Sequence, residues 1–234
     1  MPPRTLAELL DVEDPRWPSL EAEIGQSAVA EIVAAPAAAG QRCLYRLQVT
    51  AHSTLGAMAA RVGLLRIEHG WLRLYGAGGG GASDLASLNG LPDDPATAHD
   101  QPSLMTVGTD VLGGVFAING GQLPGRRGDV HYWAPDSLAW ESLELGYTDF
   151  LGWVLSGRTA EFYANFRWPG WAAEVSALSA DQGLAFYPPL GTAEAETNLA
   201  GTSRRAVPFE ELRGLLGELS VLSPGERFQV RTRD

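Results

Sequence analysis

Residues 110–121 read DVLGGVFAINGG. Gly113-Gly114 and Gly120-Gly121 bracket a short apolar run that ends in Asn119. Such a stretch either cradles a phosphate or turns a chain into and out of a strand, and the choice decides the fold. A dinucleotide loop needs G-x-G-x-x-G between a strand and a helix, because the helix N-terminus must face the pyrophosphate. Here Gly114 leads into VFAI, and Asn119-Gly120 is followed by another glycine-bearing loop and then a strand-like run, DVHYW at 129–133. No helix N-terminus is delivered. The stretch reads as loop, strand, turn. Gly113-Gly114 lets the chain enter the strand closely packed, and Asn119-Gly120 supplies the positive φ for leaving it.

The neighbouring runs share that character. LMTV (104–107), GVFAI (114–118), DVHYW (129–133) and LAWESL (138–143) are short, rich in β-branched or aromatic residues, and bounded by turn formers. Upstream, LLRIEHGWLRLY (64–75) alternates apolar and polar residues on both sides of His69-Gly70, the pattern of a β-hairpin. Residues 76–103 read as a long loop carrying the glycine run at 78–81 and one short helix near 85–88.

Helices flank these strands. Thr5 and Glu8 fit a capping box. Leu20 and Ile24 mark a second helix ending near Ser27, and a third runs from about Pro36 through Leu44 and Leu47. Tyr147, Phe150, Leu151, Val154 and Leu155 form one apolar stripe closed by Gly157. Phe162, Tyr163 and Phe166 suggest a next helix, and Trp171, Val175 and Leu178 another. Residues 181–206 read as loop, Pro208 opens a last helix with Glu210 and Glu211 in its first turn, and FQV (228–230) reads as a final edge strand. Helices, then strands, then helices is the order of an α+β fold. The expectation is a largely antiparallel twisted sheet with N-terminal and C-terminal helices packed on one face. It forms a single domain over 1–234, with a core at about 14–157 and a C-terminal helical extension at about 158–234.

Composition narrows the chemistry. The chain has 234 residues and a formal net charge of −11. That field repels phosphate backbones and anionic lipid, so nucleic acid and membrane are not expected partners. Lysine is absent, and the side chains counted as positive at pH 7 are all arginine. This removes Schiff-base, P-loop and kinase-type mechanisms. The lone cysteine, Cys43, lies in an apolar helical stretch and reads as core. The N-terminal residues lack an apolar h-region, and no run of apolar residues is long enough to span a bilayer, so the expected compartment is the cytoplasm. His52, His69, His99 and His131 show no metal-binding spacing, and no G-x-S-x-G elbow occurs. No catalytic residue, cofactor or metal is assigned.

Five residues stand out as a candidate cleft or partner surface. Asp110, Asn119 and His131 could offer polar groups beside the central strands. Trp153 lies off the apolar stripe of its helix, and Trp168 sits at a helix break.

With these segments in hand, the chain resembles the bacterial family catalogued as domain of unknown function 2625. The resemblance rests on LQVTAHSTLGA (47–57), HGWLRLYGAG (69–78), DVLGGVFAINGG (110–121), YWAPDSLAWESL (132–143), YTDFLGWVLSG (147–157) and FYANFRWPGWAAEV (162–175). The blocks span about residues 5–210; the glycine run at 78–81 departs from the family pattern. The family carries no activity to transfer. Its centre is similar to the SUKH (Smi/Knr-like) class, whose resemblance implies immunity-type modules that bind toxins. The expected function is therefore a non-enzymatic protein-binding module, acting as monomer or homodimer, whose acidic surface suits a basic partner. The alternative is a small-ligand-binding protein or enzyme with a cleft beside the central strands.

Overall fold

The computed structural model describes residues 2–98 and 101–222. His99 and the FQV run lie outside the described residues. The chain opens with α1 (Leu6–Leu10) and α2 (Trp17–Gln26), then β1 (Ala30–Ala34), α3 (Ala37–Leu47) and α4 (Thr54–Arg61). The hairpin comes next as β2 (Val62–Ile67) and β3 (Leu72–Tyr75), then α5 (Leu85–Leu88) and the strands β4 (Leu104–Asp110), β5 (Val115–Asn119), β6 (Asp129–Ala134) and β7 (Ala139–Gly146). After them stand α6 (Tyr147–Leu155), α7 (Thr159–Phe162) and α8 (Trp171–Ser176). The described chain ends with β8 (Gln182–Tyr187), α9 (Ala193–Thr197), β9 (Ser203–Pro208) and α10 (Phe209–Leu222).

The fold is α+β. Strands β1 to β7 form one sheet in sequence order, every neighbouring pair antiparallel. The capping box at Thr5 and Glu8 forms as expected. The hairpin turns at Glu68–Gly70, where His69 adopts φ 64°.

β1, α4, β8, α9 and β9 differ from the sequence expectation. β1 lies in an alanine-rich stretch with no clean alternation. α4 is built from small residues around Gly56, so its apolar face is faint; Ser53 caps it by accepting from the Gly56 N–H at 3.0 Å. Residues 181–206 are not a loop. They contain β8 and most of β9, which pair as a separate two-stranded sheet. The polar pair Arg204-Arg205 masks the second of these strands.

The helices do not cover one face alone. Successive residues of a strand point to opposite faces, and Val115↔Trp133 and Phe116↔Tyr132 are adjacent register pairs. Phe116 stacks on Tyr132 at 4.6 Å and packs against Phe150 of α6 at 5.2 Å, within the main core. That core also takes Leu20, Leu44 and Met58 from α2, α3 and α4. Val115 and Trp133 turn the other way and form a second cluster with Val207, Leu212 and Leu216. The unit of β8, β9 and α10 thus closes the far face of the sheet at β5 and β6.

Candidate functional site: an apolar groove seated on the 110–114 loop

The 110–114 loop is held by its own first residue. Asp110 ends β4 and is fully buried. Its Oδ1 accepts from the backbone N–H groups of Leu112 (2.9 Å) and Gly114 (2.8 Å). Its Oδ2 accepts from the hydroxyls of Tyr132 (2.7 Å) and Tyr163 (2.9 Å). Burial raises the Asp110 carboxyl above the usual carboxylate range, against the four donors that favour its ionised form. Burial, reinforced by the Asp110 charge, pushes both tyrosines up. This carboxylate joins β4, its loop, β6 and the end of α7 at one point, and both its oxygens are engaged in doing so.

Gly114 is required there by space. A Cβ on it would lie 2.3 Å from Asp110 Oδ2 and 2.5 Å from the Tyr132 hydroxyl oxygen. Gly113 has φ 93°, and its missing side chain makes room for Leu212 and Leu216 of α10.

The fixed loop is the seat for β8 and α10. The carbonyl of Val111 accepts from the Leu184 N–H of β8 at 2.7 Å. The Gly113 carbonyl accepts from Arg213 of α10 at 3.1 Å, and the Arg213 guanidinium lies 4.1 Å from the Trp133 ring centroid. Between β8 and α10 opens a groove of about 240 Å³ lined by Leu112, Leu184, Phe186, Leu215, Leu216 and Leu219, with Glu218 the acidic residue in its wall. Leu215, in its wall, is 42% exposed.

The five residues singled out by sequence do not converge on this groove. Asn119 is buried and closes its own turn. Its Oδ1 accepts from the N–H groups of Gly121 (2.8 Å) and Leu123 (3.1 Å), and its Nδ2 donates to the Leu123 carbonyl (2.9 Å). The positive φ of this turn, 117°, falls on Gly121 rather than Gly120. His131 is fully buried between the Pro124 carbonyl (3.1 Å) and the Asp129 carbonyl (3.4 Å). Trp168 is also buried rather than on a surface. Its indole N–H donates to Glu174 at 2.9 Å, and Arg204 lies over its ring at 4.5 Å. Trp153 alone of the five is half-exposed, beside Phe162 and the outer edge of β7.

The groove residues were only partly visible in the sequence. Leu212, Leu216 and Leu219 stand out as the apolar face of the last helix. Leu184 and Phe186 alternate along QGLAFY, the signal for β8, but are followed by Pro188-Pro189. Among the described residues, no group of three or more His, Cys, Asp or Glu is placed to hold a metal. No helix of the described chain is long and apolar enough to cross a membrane.

The fold and groove together define an α+β protein with an antiparallel meander sheet, closed on its second face by a strand pair and a helix. The chain belongs to a family described as protein of unknown function DUF2625, which matches residues 6–212. It is 35% identical over 215 residues to YbfG, an uncharacterised protein of Escherichia coli (strain K12), covering 89% of this chain and 94% of that one. It is also 31% identical over 193 residues to an uncharacterised protein of Haemophilus influenzae, covering 80% of this chain and 82% of that one. No solved structure matches the chain significantly.

Proposed function

We propose that this protein is a non-enzymatic binding module that captures the apolar face of a helix from a basic protein in the groove between β8 and α10. The observation that carries this reading is the groove itself, a leucine-walled recess whose wall includes the exposed Leu215. A helix-in-groove mode places a few apolar anchors of the partner between leucine walls. Charge selects the partner. The chain carries −11, and the exposed Glu218 of α10 stands in the groove wall. The SUKH-like kinship, an immunity-type role against a basic toxin, and action in the cytoplasm belong to the same proposal. The buried free thiol of Cys43 suits a reducing compartment.

The test uses the full chain as bait in a lysate of its native host, followed by reconstitution with the purified partner. A basic partner that binds in a binary complex should lose affinity at least about tenfold with Leu215→Glu. It should keep affinity with Leu88→Glu, which alters a comparably exposed leucine on α5. A partner indifferent to Leu215→Glu, or no partner at all, overturns the reading.

A further inference from the structure

A second recess lies at the hairpin turn and shares no residue with the groove. Its volume is about 410 Å³. Three successive residues of the turn have positive φ: Glu68 (48°), His69 (64°) and Gly70 (89°). Only glycine adopts this region freely; other residues are strained there, and such strain collects at functional sites.

The strain has a visible effect. It turns Glu68 inward, where Oε1 accepts from Thr159 at 2.9 Å and Oε2 pairs with Arg167. The Arg167 guanidinium is held over Trp171 at 4.2 Å. It also turns His69 outward, exposed at the mouth with its ring edge-on to Trp171 at 5.7 Å. The buried pair Glu68–Arg167 neutralises itself. That pair forms part of the recess wall together with His69, Arg66 and Glu31, and Val29, Ala30 and Trp171 supply the apolar lining.

Glu31 is informative. It stands opposite Arg66 in the β1–β2 register, and its carboxylate approaches Arg66 Nη1 at 3.4 Å while 66% exposed. Arg66 Nη2 meanwhile donates to the His69 carbonyl at 3.3 Å, which fixes the guanidinium plane. The chain thus presents a carboxylate to Arg66 from the recess side, in a weak, solvent-screened pair. A ligand that also engages His69 and the apolar floor can displace it.

We propose that this recess binds a small organic carboxylate, its anionic end on Arg66 and His69 and its apolar body against Val29, Ala30 and Trp171. A planar carboxylate suits a fixed guanidinium better than a spherical anion does. The assignment is independent of the groove and of any protein partner.

Titration calorimetry of the full chain with benzoate, benzyl alcohol and inorganic phosphate tests it. Benzoate should bind saturably, at least about tenfold more tightly than the neutral alcohol or phosphate. Arg66→Gln should weaken benzoate at least about tenfold, while Glu31→Gln, at an exposed site, should tighten it several-fold by removing the internal competitor. A ligand bound through a cationic end would respond to Glu31→Gln with the opposite sign. Weaker binding in Glu31→Gln, parity of benzoate with benzyl alcohol or with phosphate, or no saturable heat overturns the proposal.

Discussion

Single side chains in this protein show how burial changes the meaning of a residue type. Asp110 reads in the sequence as a polar group beside the central strands. Its role depends on Tyr132 and Tyr163, whose positions in the chain give no hint that their hydroxyls meet it. Cys43 is the opposite case, legible as core from its apolar surroundings and 1% exposed in the fold. Burial raises its thiol from 9.0 to about 11. The unfolded thiol therefore loses its proton first as the pH rises. Between the two values the folded state binds more protons, so stability contributed by the neutral thiol declines across that window. The full effect above both values is on the order of 2–3 kcal/mol. Urea titrations at pH values from about 8 to 11 should show a steeper loss for the parent than for Cys43→Ala, the difference isolating this thiol from the buried tyrosines. Parallel pH curves for the two would show that the thiol is not responsible.

At the scale of elements, the 110–114 loop is the joint on which the second layer rests. Gly114→Ala forces a methyl into the space between Asp110 and Tyr132, and should cost on the order of 3 kcal/mol by urea unfolding. Gly214→Ala is the matched control: nothing lies within 4 Å of its added Cβ, and it sits in helix α10. There the same change should raise stability by up to about 1 kcal/mol. Equal effects at the two sites would remove the steric explanation. The hairpin and β4 to β7 were legible because alternation and turn formers agree in those segments. β1 and α4 were not, since alanine, glycine and short length leave neither a period of two nor one of 3.6 clear. β8 and β9 were hidden by their context, as polar arginines on one strand and prolines after the other imitate a loop.

For the whole molecule, the α+β class could be read from the order of segments, but the covering of both sheet faces could not. Which face Val115 or Phe116 takes is set by cross-strand register, and register is a tertiary fact. The groove was illegible for the same reason, being built where β8 and α10 meet the 110–114 loop far away in sequence. The second layer should be separable in an experiment. Leu212→Asp places a charge among Val115, Trp133 and Val207, and should destabilise by at least about 3 kcal/mol. Native-state hydrogen exchange should then lose protection in β8, β9 and α10 first, while β2 and β3 keep theirs. Simultaneous loss in both regions would show one cooperative unit.

The strand order has a consequence for how the chain comes together. Each strand of the main sheet lies beside its predecessor in sequence, so the sheet requires no crossover connection. The partners from β4 to β7, and β2 with β3, are close neighbours along the polypeptide, so the entropy of closing those loops is small, whereas β1–β2 and β3–β4 are joined by the longer segments 35–61 and 76–103. Pairings can therefore accumulate in the direction of synthesis, one hairpin on the last, while the growing edge is always the newest strand. The contacts of Tyr163 with Asp110, and of α10 with the loop it sits on, span much longer separations. They close only after their distant partners have been made, so the seal of α10 on the second face follows the strands it covers.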